Sequence, residues 1–146
     1  MNEAHVYIET SIRWPRSGDG IVGIIFTNSD DTDSKNIFGK VQNASEHSSL
    51  LYGLDKAMSF LTSYPVIHIH TSSGYLAGGF SWLEKWEEAS WKTSKGEVVK
   101  YADIWQSIAS KTKGKQLKVH LNEFNGYRNW LIHECDMRGR KHGFIL

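Results

Sequence analysis

Residues 82–105 read WLEKWEEASWKTSKGEVVKYADIW, the most distinctive stretch of the 146-residue chain. Trp82 and Trp86 stand one helical turn apart, and Trp91 closes the same segment. Residues 75–91 are therefore expected to be mainly helical, with an interruption near Gly78 and Gly79. A connection bearing Lys92, Lys95 and Lys100 follows. A second helix is expected over residues 102–110, carrying Trp105. Indoles spaced along a helix usually pack rather than stack on bases, so these four tryptophans should fix the two helices against a larger layer.

That layer is legible on either side. Val6, Ile8, Thr10 and Ile12 alternate and predict a strand over residues 5–12. Residues 20–27 (GIVGIIFT) form a short β-branched run, and residues 36–41 can return as a third strand. Between them lies Asn28-Ser29-Asp30-Asp31-Thr32-Asp33-Ser34, read as a solvated hairpin tip because no EF-hand spacing follows its aspartates. The period then changes. Leu50, Leu51, Leu54, Ala57, Met58 and Leu61 recur at helical spacing over residues 46–61, and Tyr64-Pro65 stops that helix. Residues 66–70 (VIHIH) read as a buried strand, residues 117–121 as a fifth, and residues 129–138 as a last helix leading into a basic tail. Strands followed by alternating helices and strands, with no repeat or linker, predict one α/β domain over residues 1–146.

Composition bounds the function. Apolar residues make up 40% of the chain, enough for one core, and no run is long enough to cross a membrane. The start lacks a basic, apolar leader. Cys135 is the only cysteine, so neither an internal disulfide nor a cysteine zinc cage is available, and a reducing, cytoplasm-like compartment is expected. The net charge of +1 conceals an acidic first half and a basic second half. Such a split is too mild to establish nucleic-acid binding.

Residues 82–105 resemble the handle segment of type 1 ribonuclease H: the spaced tryptophans, Lys92-Thr93, Val99-Lys100 and Asp103-x-Trp105. The remaining elements follow that family's order. Val6-x-Ile8-x-Thr10 is similar to its first strand, Gly20-x-x-Gly23-Ile24 to its second, and Leu50-Leu51-x-x-Leu54 to its first helix. Thr71-x-Ser73-x-Tyr75 is similar to the end of its fourth strand, and Gly126 and Asn129 to the loop before its last helix. The resemblance implies a five-stranded mixed sheet, its first three strands antiparallel, flanked by helices.

It also implies a chemistry. The family holds two magnesium ions with four carboxylates and cleaves the RNA of an RNA–DNA hybrid. Hard divalent ions need that negative charge, and the paired metals activate water and stabilise the leaving oxygen. Carried over one position at a time, the carboxylates fall on Ser11, Ser49, Ser72 and His133, and the loop histidine on Phe124. Glu9, Glu46 and Glu134 are near three of these positions but offset from them along strand or helix. Neutral hydroxyls do not compensate a divalent ion, so no metal or other cofactor is expected and the catalytic set reads as degenerate. Ser11, Ser49, Ser72 and His133 should nevertheless meet in space. A serine-hydrolase reading of that meeting lacks an orienting group and an oxyanion hole.

The candidates for retained nucleic-acid contact are Lys92, Lys95, Lys100, Trp86 and Ser45. Glu87 and Glu88 stand where the family's handle carries a basic pair, and Ser45-Glu46 replaces its minor-groove asparagines. His68, His70, His120 and His133 raise the question of zinc, but His120 is not evidently beside the other two, and satisfied or exposed histidines are the expectation. Cys135 should face the core. The expected function is a non-catalytic binding or scaffolding protein with a protein partner. An RNA–DNA hybrid or structured-RNA binder without cleavage comes second, and residual metal-dependent ribonuclease H activity third.

Overall fold

The computed structural model describes residues 3–28 and 34–141, with the side chain of Lys141 left aside. Most of the aspartate-rich tip, residues 29–33, lies outside them, as does the end of the basic tail. The strands are β1 (Glu3–Thr10), β2 (Gly18–Asn28), β3 (Lys35–Ala44), β4 (Val66–Thr71) and β5 (Gln116–Leu121). The helices are α1 (Glu46–Ser59), α2 (Gly74–Glu88), α3 (Ala102–Lys111) and α4 (Arg128–Lys141). The strands form one sheet in the order β3-β2-β1-β4-β5. β1, β2 and β3 pair antiparallel, while β4 runs parallel to β1 and β5 parallel to β4. This is the expected five-stranded mixed sheet.

Strand alternation sorts the core. Ala4, Val6 and Ile8 of β1 pair with or flank Ile67 and Ile69 of β4, and all five are at most 1% exposed. They meet Leu51, Leu54, Ala57 and Met58 of α1, the face that the helical spacing assigns to the interior. Gly53 lets α1 come this close, because a Cβ there would stand 2.5 Å from a Val22 methyl. Ser45 caps α1: its hydroxyl accepts from the Ser48 N–H at 3.1 Å, and the Ser48 hydroxyl accepts from the Ser45 N–H at 2.9 Å. On the other face of the sheet, α4 packs on β1 and β2. Gly23 opens that contact, since a Cβ would lie 2.7 Å from Cys135 Sγ.

Three expectations for residues 75–105 need correction. α2 runs unbroken through Gly78 and Gly79, and it ends at Glu88 rather than at Trp91. Gly79 is a packing site, not a break: a Cβ there would stand 2.3 Å from the Trp105 ring. Ser90 and Trp91 take positive φ of 55° and 62°, which no helix continues through. Trp105 is fully buried and donates its indole N–H to the Tyr75 hydroxyl at 3.1 Å, with Trp86 packed against it and Trp91 against Trp86. Trp82 departs from the group. It is 51% exposed, with the Lys85 ammonium 4.8 Å from its ring centroid.

Candidate functional site

The C-terminal ends of β1 and β4 and the N-terminal ends of α1 and α2 converge on a cleft of about 240 Å³. Its lining includes Glu9, Arg13, Glu46, Ser72, Arg128 and Ile132. Parity explains Glu9: it is the last odd-numbered residue of β1, so it faces the α4 side, while Thr10 faces α1. Ser72 donates from its hydroxyl to Glu9 Oε2 at 3.2 Å, and Arg128 Nε lies 3.9 Å from the same oxygen. Burial pushes the Glu9 carboxyl up to about 7, against the opposing pull of Arg128 and Ser72. Across the strand, Ser49 donates to Thr10 Oγ1 at 2.9 Å, and Thr10 donates to the Ile21 carbonyl at 3.1 Å. Arg13 reaches the flank of α4, with Nη2 3.0 Å from Asp136 Oδ1.

Ser11, Ser49, Ser72 and His133 do not form the single cluster expected from sequence. Ser11 is fully buried and accepts from the Ile21 N–H at 2.9 Å, so its side chain serves the β1–β2 pairing. Ser49 joins Thr10 on one face, and Ser72 joins Glu9 on the other. His133 is exposed. The α4 stripe toward β1 and the cleft is Arg128, Ile132 and Cys135, and His133 is rotated by about 100° from Ile132. Phe124 is 98% exposed. Glu134, the near neighbour weighed from sequence, pairs with Arg138 at 3.5 Å.

The remaining candidates sit elsewhere. Lys92, Lys95 and Lys100 are exposed on the connection between α2 and α3, and Trp86 is half-buried against Trp105. Ser45 spends its hydroxyl on capping α1 and on a 3.2 Å contact with the Tyr101 hydroxyl. β5 does neighbour β4, so His70 and His120 are in register and His68 joins them, while His133 stands apart. Among the described residues, no group of three or more His, Cys, Asp or Glu is disposed to hold a metal ion. Cys135 is fully buried, its thiol 3.6 Å from the Glu9 carbonyl, and burial pushes that thiol up to about 12. No helix among the described residues is long and apolar enough to cross a membrane.

Sequence reasoning passed over Arg13 and Arg128. Arg128 had a weak signal, lying four residues before Ile132 and seven before Cys135 on a helix whose other face is polar. Arg13 had none, because nothing local ties it to Asp136.

The sheet order and flanking helices define a ribonuclease H-like fold. It superposes on a foamy viral protease–reverse transcriptase solved with double-stranded DNA, with a TM-score of 0.71 and 16% identity, over 92% of this chain and 88% of that one. It likewise matches a type 1 RNase H with the type 2 active-site motif, with a TM-score of 0.73 and 14% identity, over 97% of this chain and 74% of that one. The RNase H family model matches residues 1–128, and the chain belongs to that family. Its relatives include the ribonuclease H of Acetivibrio thermocellus, 29% identical over 124 residues, which are 82% of this chain and 80% of that protein. The ribonuclease H of Cupriavidus necator is 30% identical over 87 residues, 59% of this chain and 60% of that protein.

Proposed function

We propose that this chain is a non-catalytic member of the RNase H family, a binding or scaffolding module that engages a protein partner. The observation that carries the reading is the content of the cleft. The residues equated by resemblance with the family's carboxylates are three serines and an exposed histidine, and the half-buried Glu9 carboxyl lies 3.9 Å from the Arg128 guanidinium. A magnesium pair requires several anionic oxygens and near-octahedral geometry. Here two carboxylates, Glu9 and Glu46, share the cleft with two guanidiniums, Arg13 and Arg128. That donor set does not fit two divalent ions. Organisation in one domain over residues 1–146 belongs to the same proposal.

The test combines thermal unfolding in millimolar magnesium or manganese with cleavage of an RNA–DNA hybrid. The expected outcome is no metal-dependent rise in Tm, which binding to the folded state alone would produce, and no cleavage. A saturable rise of several degrees accompanied by cleavage would overturn it.

One observation favours hybrid or RNA binding without cleavage as the second reading. Lys92, Lys95 and Lys100 are exposed on one connection, where they can meet phosphates, Lys100 from a position 5.2 Å from the Tyr101 ring centroid. A structural relative was solved in complex with an RNA/DNA hybrid, with a TM-score of 0.67 and 15% identity, the match covering 94% of this chain and 19% of that one. Glu87 and Glu88, exposed at the end of α2, oppose this reading and place it second.

A further inference from the structure

α4 covers β1 and β2, and beside it the same face of the sheet carries a layer of imidazoles. The register sets His5 beside His68, Tyr7 beside His70, and His70 beside His120. The rings stack with centroids 4.2 Å apart for His5 on His68, 4.2 Å for Tyr7 on His70 and 4.5 Å for His70 on His120. Ring edges join the two rows. His5 Nδ1 lies 2.8 Å from His70 Nε2, and His68 Nδ1 lies 2.8 Å from His120 Nε2. The second pair ends on carboxylates: His68 Nε2 is 2.6 Å from Glu3 Oε1, and His120 Nδ1 is 3.0 Å from both oxygens of Glu123.

Ionised carboxylates only accept, and a neutral imidazole carries one N–H. The line Glu3–His68–His120–Glu123 contains three contacts, yet two neutral rings supply two hydrogens. With both N–H groups directed at the carboxylates, bare lone pairs of His68 Nδ1 and His120 Nε2 would face each other at 2.8 Å. We propose that this four-residue relay binds one excess proton, shared by His68 and His120 and balanced by Glu3 and Glu123, and that the proton latches the 122–127 loop to the sheet.

The surroundings agree. The His68 hydrogen bond holds the Glu3 carboxyl below its ordinary value, which keeps it an acceptor. His5 and His70 need only one hydrogen for their single contact and stay neutral. Burial and the neighbouring imidazoles push His70 down to about 4, and burial lowers His5. Among the described residues, the other titratable groups around the relay are Tyr7 on β1, Lys118 on β5 and Tyr127 at the end of the loop. The loop begins where the Asn122 N–H donates to the Thr71 carbonyl at 2.9 Å, and it delivers Arg128 to Glu9. Glu123, with its side chain 60% exposed, is the end of the relay that lets go when the proton leaves.

Glu123→Gln tests this without disturbing the core. Its amide can donate to His120 Nδ1, so that His120 donates to His68 and His68 to Glu3. All three contacts then close with neutral rings. In the full chain, ¹⁵N imidazole NMR at pH 7 should find one imidazolium's worth of charge on His68 and His120, and none in Glu123→Gln. Hydrogen exchange of loop amides, corrected for intrinsic rates, should show latch opening that increases as pH rises, by at most about tenfold per pH unit for one linked proton. In Glu123→Gln that pH dependence should vanish. Neutral rings in the unmodified protein, or an unchanged pH dependence in the variant, would overturn the proposal. So would displacement of the shared proton by a stoichiometric zinc ion.

Discussion

The two faces of β1 follow different rules. Ala4, Val6, Ile8 and Thr10 point toward α1 and are almost entirely buried, whereas Glu3, His5, Tyr7 and Glu9 point the other way and remain half-buried. The first face is held by apolar contact, which is non-directional and tolerant of which hydrophobe supplies it. The second is held by polar contacts that need particular atoms: His68 for Glu3, His70 for His5, Ser72 and Arg128 for Glu9. One strand thus separates a conventional core from a surface where protons and charges decide the structure. Breaking the first should cost stability at every pH, while changes to the second should be felt through pH.

The largest effect belongs to the apolar side. Trp105 is fully buried, packed against Gly79 and anchored by Tyr75. Trp105→Ala should cost about 3–5 kcal/mol in chemical denaturation. Trp82→Ala, on the exposed face of α2, should change stability by less than about 0.5 kcal/mol. Equal losses would erase the distinction between core and surface within this helix pair.

On the polar side, Glu9 gives the next largest effect. Its carboxyl is raised in the folded protein to about 7, above the ordinary value of 4.5. Such a group favours folding while protonated in both states. That advantage is lost as pH rises from about 4.5 through 7, because the unfolded chain ionises first. The gap corresponds to about 3 kcal/mol between pH 4 and pH 8. Glu9→Gln should remove this component and flatten the pH–stability curve in that window. A curve identical to that of the unmodified protein would mean that Glu9 is not desolvated.

Legibility in the sequence divides along the same line. Strand alternation and the helical recurrence of Leu50, Leu51, Leu54, Ala57 and Met58 are local patterns, and they gave the layers and the buried face of α1. The position of Gly79 was misread because a glycine within a helix looks like a break until the ring that fills its place, 26 residues later, is known. The cleft was only partly readable. The resemblance picked out Ser11, Ser49 and Ser72, but spacing could not say that Ser11 turns into the β2 backbone or that Glu9 finds Ser72 across 63 residues. The imidazole layer needed the order of β4 and β5. Separately, His5, His68, His70 and His120 are ordinary strand residues, and only the register stacks them.

The smallest expected effect concerns the basic connection, where the comparison moves from the interior to solvent. Lys92, Lys95 and Lys100 are exposed beside the acidic end of α2, where Glu87 and Glu88 are exposed as well. If the three lysines meet phosphates, each neutralised phosphate adds about 0.9 to the slope of log affinity against log salt. The two glutamates work against that, so the unmodified protein should bind an RNA–DNA hybrid no tighter than about micromolar at physiological salt. Replacing Glu87→Lys and Glu88→Lys together should strengthen binding several-fold and steepen the slope by up to about two units. The same change places positive charge at the carbonyl end of α2, which favours the helix by about 0.3–1 kcal/mol per residue. A gain in Tm without a gain in hybrid affinity would therefore assign the lysines to solvation alone. Cleavage should stay undetectable in both proteins, because charge on the handle cannot supply carboxylates to the cleft. Tight, hybrid-selective binding by the unmodified protein would instead raise the nucleic-acid reading above the scaffolding one.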